Sequence, residues 1–416
     1  MAWRPLVVGD RRAALTAVIR DIVAGVVEIA ATTVDQHVDR AILHAYVAHE
    51  EVAPDPDDRS GTALACAVTE LMRSPTAPGL LGGTAGLGWC VAHLVEDETA
   101  ELVCRRIDEV LLRLLADWRG PYDLVGGLVG FGVYALARGE PGHALAVRVR
   151  EELSRRARRL GDGLAWHTPP GELTPGQQRD APDGVWNLGL AHGVPGVIAL
   201  LARYVTAGVD VERARELLDG AVAFVLAAEA ARDDGRYPAW QVGGPEGPDR
   251  QQPHRARARL AWCYNDLGVA IALLSAALAT DTPRWRAEAL ALARACARRS
   301  VGDASIVDAP LCHGAFGAAH LFNRLAHATG EAIFTAAAER WLDHGIGMRE
   351  ERPIAGFPTF APQEQAWTVD AAMVSGASGI ALTLHSMITE VEPAWDRMML
   401  VDLPTSLPAD RSSATR

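Results

Sequence analysis

Three side chains in this sequence are well suited to holding a metal: Cys263 in WCYND, and Cys312 with His313 in LCHGAFG. Thiolates and imidazole are soft ligands, which favour zinc over magnesium or calcium. Two cysteines and one histidine also leave the fourth position of a tetrahedral ion free, as in one kind of catalytic zinc site. Taken singly, each residue reads as a small buried cysteine or as a histidine at the start of a helix. The metal reading therefore depends on whether the fold brings together residues 49 positions apart.

A repeat supplies the means. Six segments share a G-x-x-G element (N-x-x-G in the fourth) followed by an apolar helical run: GGTAGLGWCVAHL, GGLVGFGVYALA, HGVPGVIALLARY, YNDLGVAIALLSAA, HGAFGAAHLFNRLA and SGASGIALTLHSM. Their first positions are Gly83, Gly127, Gly193, Asn265, Gly314 and Gly376, separated by 44, 66, 72, 49 and 62 residues, room for a helical hairpin plus loops of varying length. Two residues before these positions stand Leu81, Val125, Ala191, Cys263, Cys312 and Val374; one residue before stand Gly82, Gly126, His192, Tyr264, His313 and Ser375. Cys263 and Cys312 thus hold the same slot in consecutive repeats, and in a closed ring those slots are neighbours.

The rest of the chain agrees with repeated helical units. Apolar residues recur at helical spacing almost throughout, in segments rich in Ala, Leu and Arg, so pattern and propensity both predict an all-α protein. One apolar helix cannot bury its surface alone, and six repeats satisfy one another either as an open solenoid or as a closed ring. Several repeated helices are apolar nearly all round, which favours closure into an (α/α)6 toroid with its site at one end. The expected organisation is a single domain over 1–402, with N-terminal helices in 1–78 and the six repeats in 79–387, followed by a disordered tail at 403–416. Stretches near 161–185, 231–256 and 350–368, rich in Pro, Gly, Asp and Gln, read as loops.

Composition narrows the function classes. A net charge of −12, with no basic run interleaved with aromatics, argues against nucleic-acid binding. The N-terminal apolar patches are broken by Arg and Asp, so they form neither a signal-peptide core nor a membrane span, and a cytoplasmic protein without membrane insertion is expected. Six cysteines are too few and too scattered for a disulfide scaffold. Of these, Cys66, Cys90, Cys104 and Cys296 lie in helical sequence and read as small buried hydrophobes.

WCYND, LCHGAFG, LAHGVPG at 190–196 and the repeated G-x-x-G elements resemble the lanthionine synthetase C-like family, the lanthipeptide cyclases, over about residues 79–387. The resemblance implies an α,α-toroid with zinc at one end. It implies addition of a peptide cysteine thiol to dehydroalanine or dehydrobutyrine, giving (methyl)lanthionine thioether rings in a dehydrated precursor peptide, with a lanthipeptide dehydratase as a further partner. By the same resemblance Cys263, Cys312 and His313 hold Zn2+ and His192 protonates the enolate. Asp123 orients His192 or assists proton transfer, Arg259 steadies the enolate oxygen, and Tyr264 bonds within the site or lines it. The fourth repeat departs from the commoner pattern, with Asn265, Asp266 and Leu267 in place of a Gly-x-Pro run. Two alternatives stay open: an (α/α)6 glycoside hydrolase using Asp123 and Asp370, and a non-catalytic or glutathione-adding relative. Asp370 and His320 otherwise read as structural.

Overall fold

The computed structural model describes residues 2–74, 76–230, 235–249, 258–351, 354–361 and 365–407. Its helices are α1 (Gly9–Glu28), α2 (Val34–Val47), α3 (Arg59–Arg73), α4 (Thr84–Leu94), α5 (Glu98–Leu115), α6 (Leu128–Ala137), α7 (His143–Arg156), the short α8 (Pro175–Asp180), α9 (Val194–Ala207), α10 (Val211–Ala227), α11 (Asp266–Thr280), α12 (Pro283–Arg298), α13 (Ala315–Thr329), α14 (Ala332–Gly347) and α15 (Ala377–Ile388).

Sequence pattern separates two layers. In α5 the buried residues are Ala100, Cys104, Ile107, Leu111 and Leu115, spaced by three or four, and the other face carries Arg105, Arg106 and Glu109. That single stripe suits an outer helix, and each of its large apolar side chains contributes about 1.5–3 kcal/mol on burial. In α11 every residue from Asp266 to Ala277 is buried, as befits a helix covered on all sides. Inner and outer helices pair as α4·α5, α6·α7, α9·α10, α11·α12 and α13·α14, while α15 takes α1 as its outer partner.

The six repeats account for six inner helices of a closed toroid, and α2 is a seventh. It packs against both α15 and α4, bridging the last repeat to the first, with α3 on its outside. Among the described residues the ring therefore holds seven hairpins, one more than the repeat pattern predicts. The extra member lacks the glycine signature because it starts at Thr33 and is tied to the ring by a side chain: Asp39 Oδ2 accepts the Met373 N–H at 2.8 Å.

The glycines have a steric cause. In each repeat the second glycine of the element faces the carbonyl oxygen of the residue six positions earlier, as Gly317 faces Leu311 and Gly268 faces Trp262, at a spacing where any Cβ would collide. The first position is the residue before the helix in all six repeats. Five of them are glycines in extended backbone; the sixth, Asn265, sits at φ 68°, ψ −163°, a region ordinarily reserved for glycine.

Backbone bonds one level above the helices lace the repeats together. The N–H groups of Leu81, Leu124, Ala191, Cys263 and Cys312 donate to the carbonyls of Val125, Ala191, Cys263, Cys312 and Val374 respectively, at 2.9–3.3 Å. Apart from the Leu124 donor, which is one residue earlier, this girdle runs through the slot two residues before the reference position, and it seats Cys263 beside Cys312.

Short strands appear where only loops are expected. β1 (Arg158–Leu160) pairs with β2 (Gly163–Ala165), and β3 (His167–Thr168), β4 (Val185–Asn187) and β5 (Trp240–Val242) form an antiparallel sheet in the order β3-β4-β5. A last hairpin joins β6 (Thr359–Ala361) and β7 (Ala366–Thr368). Strands of two or three residues are too short to show alternation. Parts of the expected loops, 231–234, 250–256, 352–353 and 362–364, lie outside the described residues.

The far end of the ring is closed by the C-terminal segment. Arg324, ten residues into α13 and so about 15 Å from its start, donates to both carboxylate oxygens of Asp396 at 2.6 and 2.8 Å and to Glu392 at 3.0 Å. His320 Nε2 meets the same Asp396 at 2.8 Å and stacks on Trp395. Of the expected tail, 403–407 are held in place: Leu403 is buried and the Leu407 N–H donates to Ala328 at 2.7 Å. Residues 408–416 lie outside the described residues. Among the described residues no helix is long and apolar enough to cross a membrane.

Candidate metal centre and proton-transfer pair

Cys263 closes the loop before α11, and Cys312 and His313 close the loop before α13. The girdle bond from Cys263 N–H to Cys312 O, 3.3 Å, fixes the two loops against each other. The two sulfurs and one imidazole nitrogen lie within 4.8 Å of one another. A tetrahedral zinc with bonds of about 2.3 Å sets sulfurs about 3.8 Å apart, so the spacing and donor types fit that ion, with one coordination position left over. Cys263 is buried; Cys312 and His313 are partly exposed.

The thiols act on each other electrostatically. A hydrogen bond from Cys312, helped by His313 and His192, holds Cys263 well below the usual thiol range despite burial. The same bond and burial push Cys312 well above it. One thiolate is thus already favoured at this spot, as a metal ligand must be deprotonated.

His192 stands in the slot that His313 occupies in the fifth repeat, one residue before its reference glycine. Its Nδ1 lies 2.6 Å from Asp123 Oδ2, and because a carboxylate only accepts, Nδ1 carries the proton and Nε2 is left to exchange one. Asp123 is held in turn, since its Oδ1 accepts the Gly126 N–H at 2.9 Å. It therefore caps a turn and orients the imidazole at once. Burial pulls the His192 pKa down, but the hydrogen bond and charge of Asp123, with the charge of Cys263, outweigh it and leave the pKa raised. The His192 side chain is still 38% exposed, against 15% for Asp123, so the ring is reachable.

Tyr264 lies between the two groups. Its ring is 5.9 Å from that of His192 and 5.9 Å from Trp240, and its hydroxyl accepts from Asn187 Nδ2 at 3.5 Å. Burial raises its pKa strongly, so it stays a neutral hydroxyl. Arg259 is half-buried in the loop before Cys263, and its charge pulls the Cys312 thiol down against the larger upward pushes. Its backbone N–H donates to Asn265 Oδ1 at 3.1 Å, while Asn265 Nδ2 donates to Tyr237 O at 3.0 Å. Asp266 accepts the N–H groups of Arg236 and Tyr237. The departure from Gly-x-Pro in the fourth repeat thus ties the Arg259 loop and the 235–237 segment to the start of α11, and all three metal-ligand candidates remain.

Two polar residues went unnoticed in the sequence. Asp308 is fully buried, its Oδ2 lies 3.8 Å from His313 Nε2, and its Oδ1 has no hydrogen-bond partner among the described residues. At that separation the buried carboxylate bears on the imidazole by its charge rather than by a hydrogen bond. Asn187 Oδ1 accepts the Gly189 N–H at 2.9 Å and its amide reaches Tyr264. Both stand six residues before a reference position, the register also of Asp370, whose oxygens take the Ala372 N–H and the Ser375 hydroxyl. That shared register was the available signal. Cys66 is exposed on α3, contrary to the buried reading, because its helix face points outward; Cys90, Cys104 and Cys296 are buried.

A profile of the lanthionine synthetase C-like protein family matches residues 41–400. The chain belongs to that family. The match begins within α2, the ring member the repeat pattern left out, and so takes in its second half. Among solved structures, this family member resembles nisin cyclase with a TM-score of 0.73, at 20% identity over 88% of this chain and 90% of that one. At that identity the likeness speaks for the fold, the helical toroid. No curated protein matches the chain in sequence.

Proposed function

We propose that this chain is a zinc-dependent lanthipeptide cyclase, which adds the thiol of a peptide cysteine across the double bond of a dehydroalanine or dehydrobutyrine in the same peptide. The observation that carries this reading is the meeting of two thiols and an imidazole with an accessible, carboxylate-oriented histidine at one end of the toroid. Cys263, Cys312 and His313 would hold the ion. When bound, zinc supplies acidity to an incoming thiol, whose pKa of about 8.5 otherwise keeps it protonated at neutral pH.

The chain's own residues account for the rest. Cys263 and Cys312 bring negative charge that offsets a dication, so an incoming sulfur keeps its nucleophilicity. As the S–Cβ bond forms, the π pair of the alkene moves onto the α-carbon and carbonyl as an enolate. His192 gives its Nε2 proton to the α-carbon, the thiol proton leaves to solvent, and His192 is recharged from solvent; atoms balance and the peptide mass is unchanged. Asp123 holds the imidazole in the required tautomer and steadies its charged form. Arg259 would offer positive charge to the enolate oxygen, and Tyr264 a neutral hydroxyl. The substrate is a dehydrated precursor peptide, so a dehydratase must act first. The free thiols suit the reducing cytoplasm.

The carbohydrate alternative has no support here, since Asp123 and Asp370 both spend their oxygens on internal hydrogen bonds. The test is to incubate the zinc-loaded protein with a dehydrated cysteine-containing peptide and count free thiols by alkylation. Thiol loss at constant mass, abolished by chelation, is expected. Thiols persisting against every such peptide would overturn the reading, and a mass gain in the presence of glutathione would redirect it to intermolecular addition.

A further inference from the structure

One residue from Asp123 the surface turns into a groove of about 630 Å³, walled by α7, β1 and the 116–122 loop. Four arginines line it: Arg119, Arg155, Arg156 and Arg158. Two are neutralised on the spot, Arg119 by Asp117 at 3.0 Å and Arg155 by Glu152 at 2.7 Å. The other two form no ion pair with any carboxylate among the described residues. Arg156 is partly buried and spends its N–H groups on the carbonyls of Gly120 and Trp118. Arg158 is exposed on β1. The remaining acid of the groove, Glu172, is exposed and forms no ion pair with any of these arginines among the described residues, so the groove holds four arginines against three carboxylates. On a chain of net charge −12 this is a local reversal of sign.

We propose that this groove binds a carboxylate side chain of the substrate peptide, a few residues from the reacting cysteine, and so sets which cysteine reaches the site. The inference rests on the cyclase reading above. Its position follows from connectivity: Tyr122 lines the groove, and the next residue holds His192. Its volume admits one or two side chains and excludes a nucleic-acid duplex. Guanidinium is the group best matched to a carboxylate, in the planar two-bond mode. Trp118, partly exposed in the wall, offers apolar surface for a neighbouring residue of such a peptide.

The test uses the zinc-loaded full chain and fluorescent dehydrated peptides with one cysteine, one dehydroalanine and either Glu or Gln placed two to five residues from the cysteine. By anisotropy, the best-placed Glu peptide is expected to bind about tenfold more tightly than its Gln twin, as a hydrogen-bonded charge warrants. The gap should shrink severalfold in about 0.5 M salt. Arg158→Glu, a surface change, is expected to erase the gap while leaving affinity for the Gln peptide within about twofold; Arg156→Gln should narrow it as well. Equal affinity for Glu and Gln at every position, or a gap that survives both substitutions, overturns the proposal. Binding is read apart from turnover, so an intact gap without thiol loss sinks the reaction and keeps the groove, whereas thiol loss without a gap does the reverse.

Discussion

His192 meets Asp123 at 2.6 Å, and His320 meets Asp396 at 2.8 Å, so the two ends of the toroid carry nearly the same pair of groups. Their surroundings differ. His192 is 38% exposed and its partner answers to a single backbone N–H besides. His320 and Asp396 are both sealed, and Asp396 also takes two bonds from Arg324. Burial, with the charges of Arg324 and His327, lowers the His320 pKa despite Asp396, so that histidine stays neutral, whereas the His192 pKa is raised. A histidine–aspartate pair is free to exchange a proton where something can reach it and its partner is not already neutralised; elsewhere the same pair is a fastener.

Removing a ligand at the open end should have the largest effect. Cys312→Ala is expected to drop zinc from about one per chain to below about a tenth, with ring formation falling by more than about 10³-fold, read by elemental analysis and thiol counting. At the sealed end, Arg324→Met leaves Asp396 buried without its cation. About 3–5 kcal/mol of stability should be lost in denaturant titration, with activity per folded molecule unchanged. A loss of activity with stability intact would erase the distinction between the two ends.

His192→Asn is the mirror image: a fall of about 10²–10⁴ in the rate of ring closure, with stability within about 1 kcal/mol. Asp123→Asn should be milder, about tenfold, and should move the pH profile. In the proposed reaction His192 acts protonated, so activity should fall as pH rises through its pKa, which lies above the ordinary 6.5 because of Asp123. Without that carboxylate burial prevails, and the fall should occur at lower pH. The sign for stability is the same: the pair's contribution is fully present below pH 6.5 and is lost as pH rises through the folded pKa. Asn265→Gly should matter least. It relieves a backbone strain of about 1–3 kcal/mol but gives up hydrogen bonds to Arg259 and Tyr237 worth about 1 kcal/mol each, a net change near zero.

The open end was the more legible in sequence. Five reference glycines and all six second glycines are demanded by carbonyls packed against the helix starts, so the repeat register could be read directly, and with it the common slot of Cys263 and Cys312. The ring member α2 could not be read that way, because Asp39 does by a side chain what the repeats do by backbone. Asp308 and Asn187 were hidden for a related reason: Asx residues ahead of helices are common as turn formers, and only the fold reveals which of them face His313 and Tyr264. Nor did pattern disclose the sealed end, whose partners Arg324 and Asp396 are 72 residues apart and belong to no shared register.

The girdle of N–H···O=C bonds explains how repeats between 44 and 72 residues long coexist with a fixed candidate metal centre. Each added stretch leaves and rejoins the ring between two anchored residues, so length varies without altering the span between sulfurs. Substrate preference can therefore drift through the inserted strands and loops while the chemistry stays put, and relatives that differ greatly in those insertions should still superpose closely at this one course of backbone.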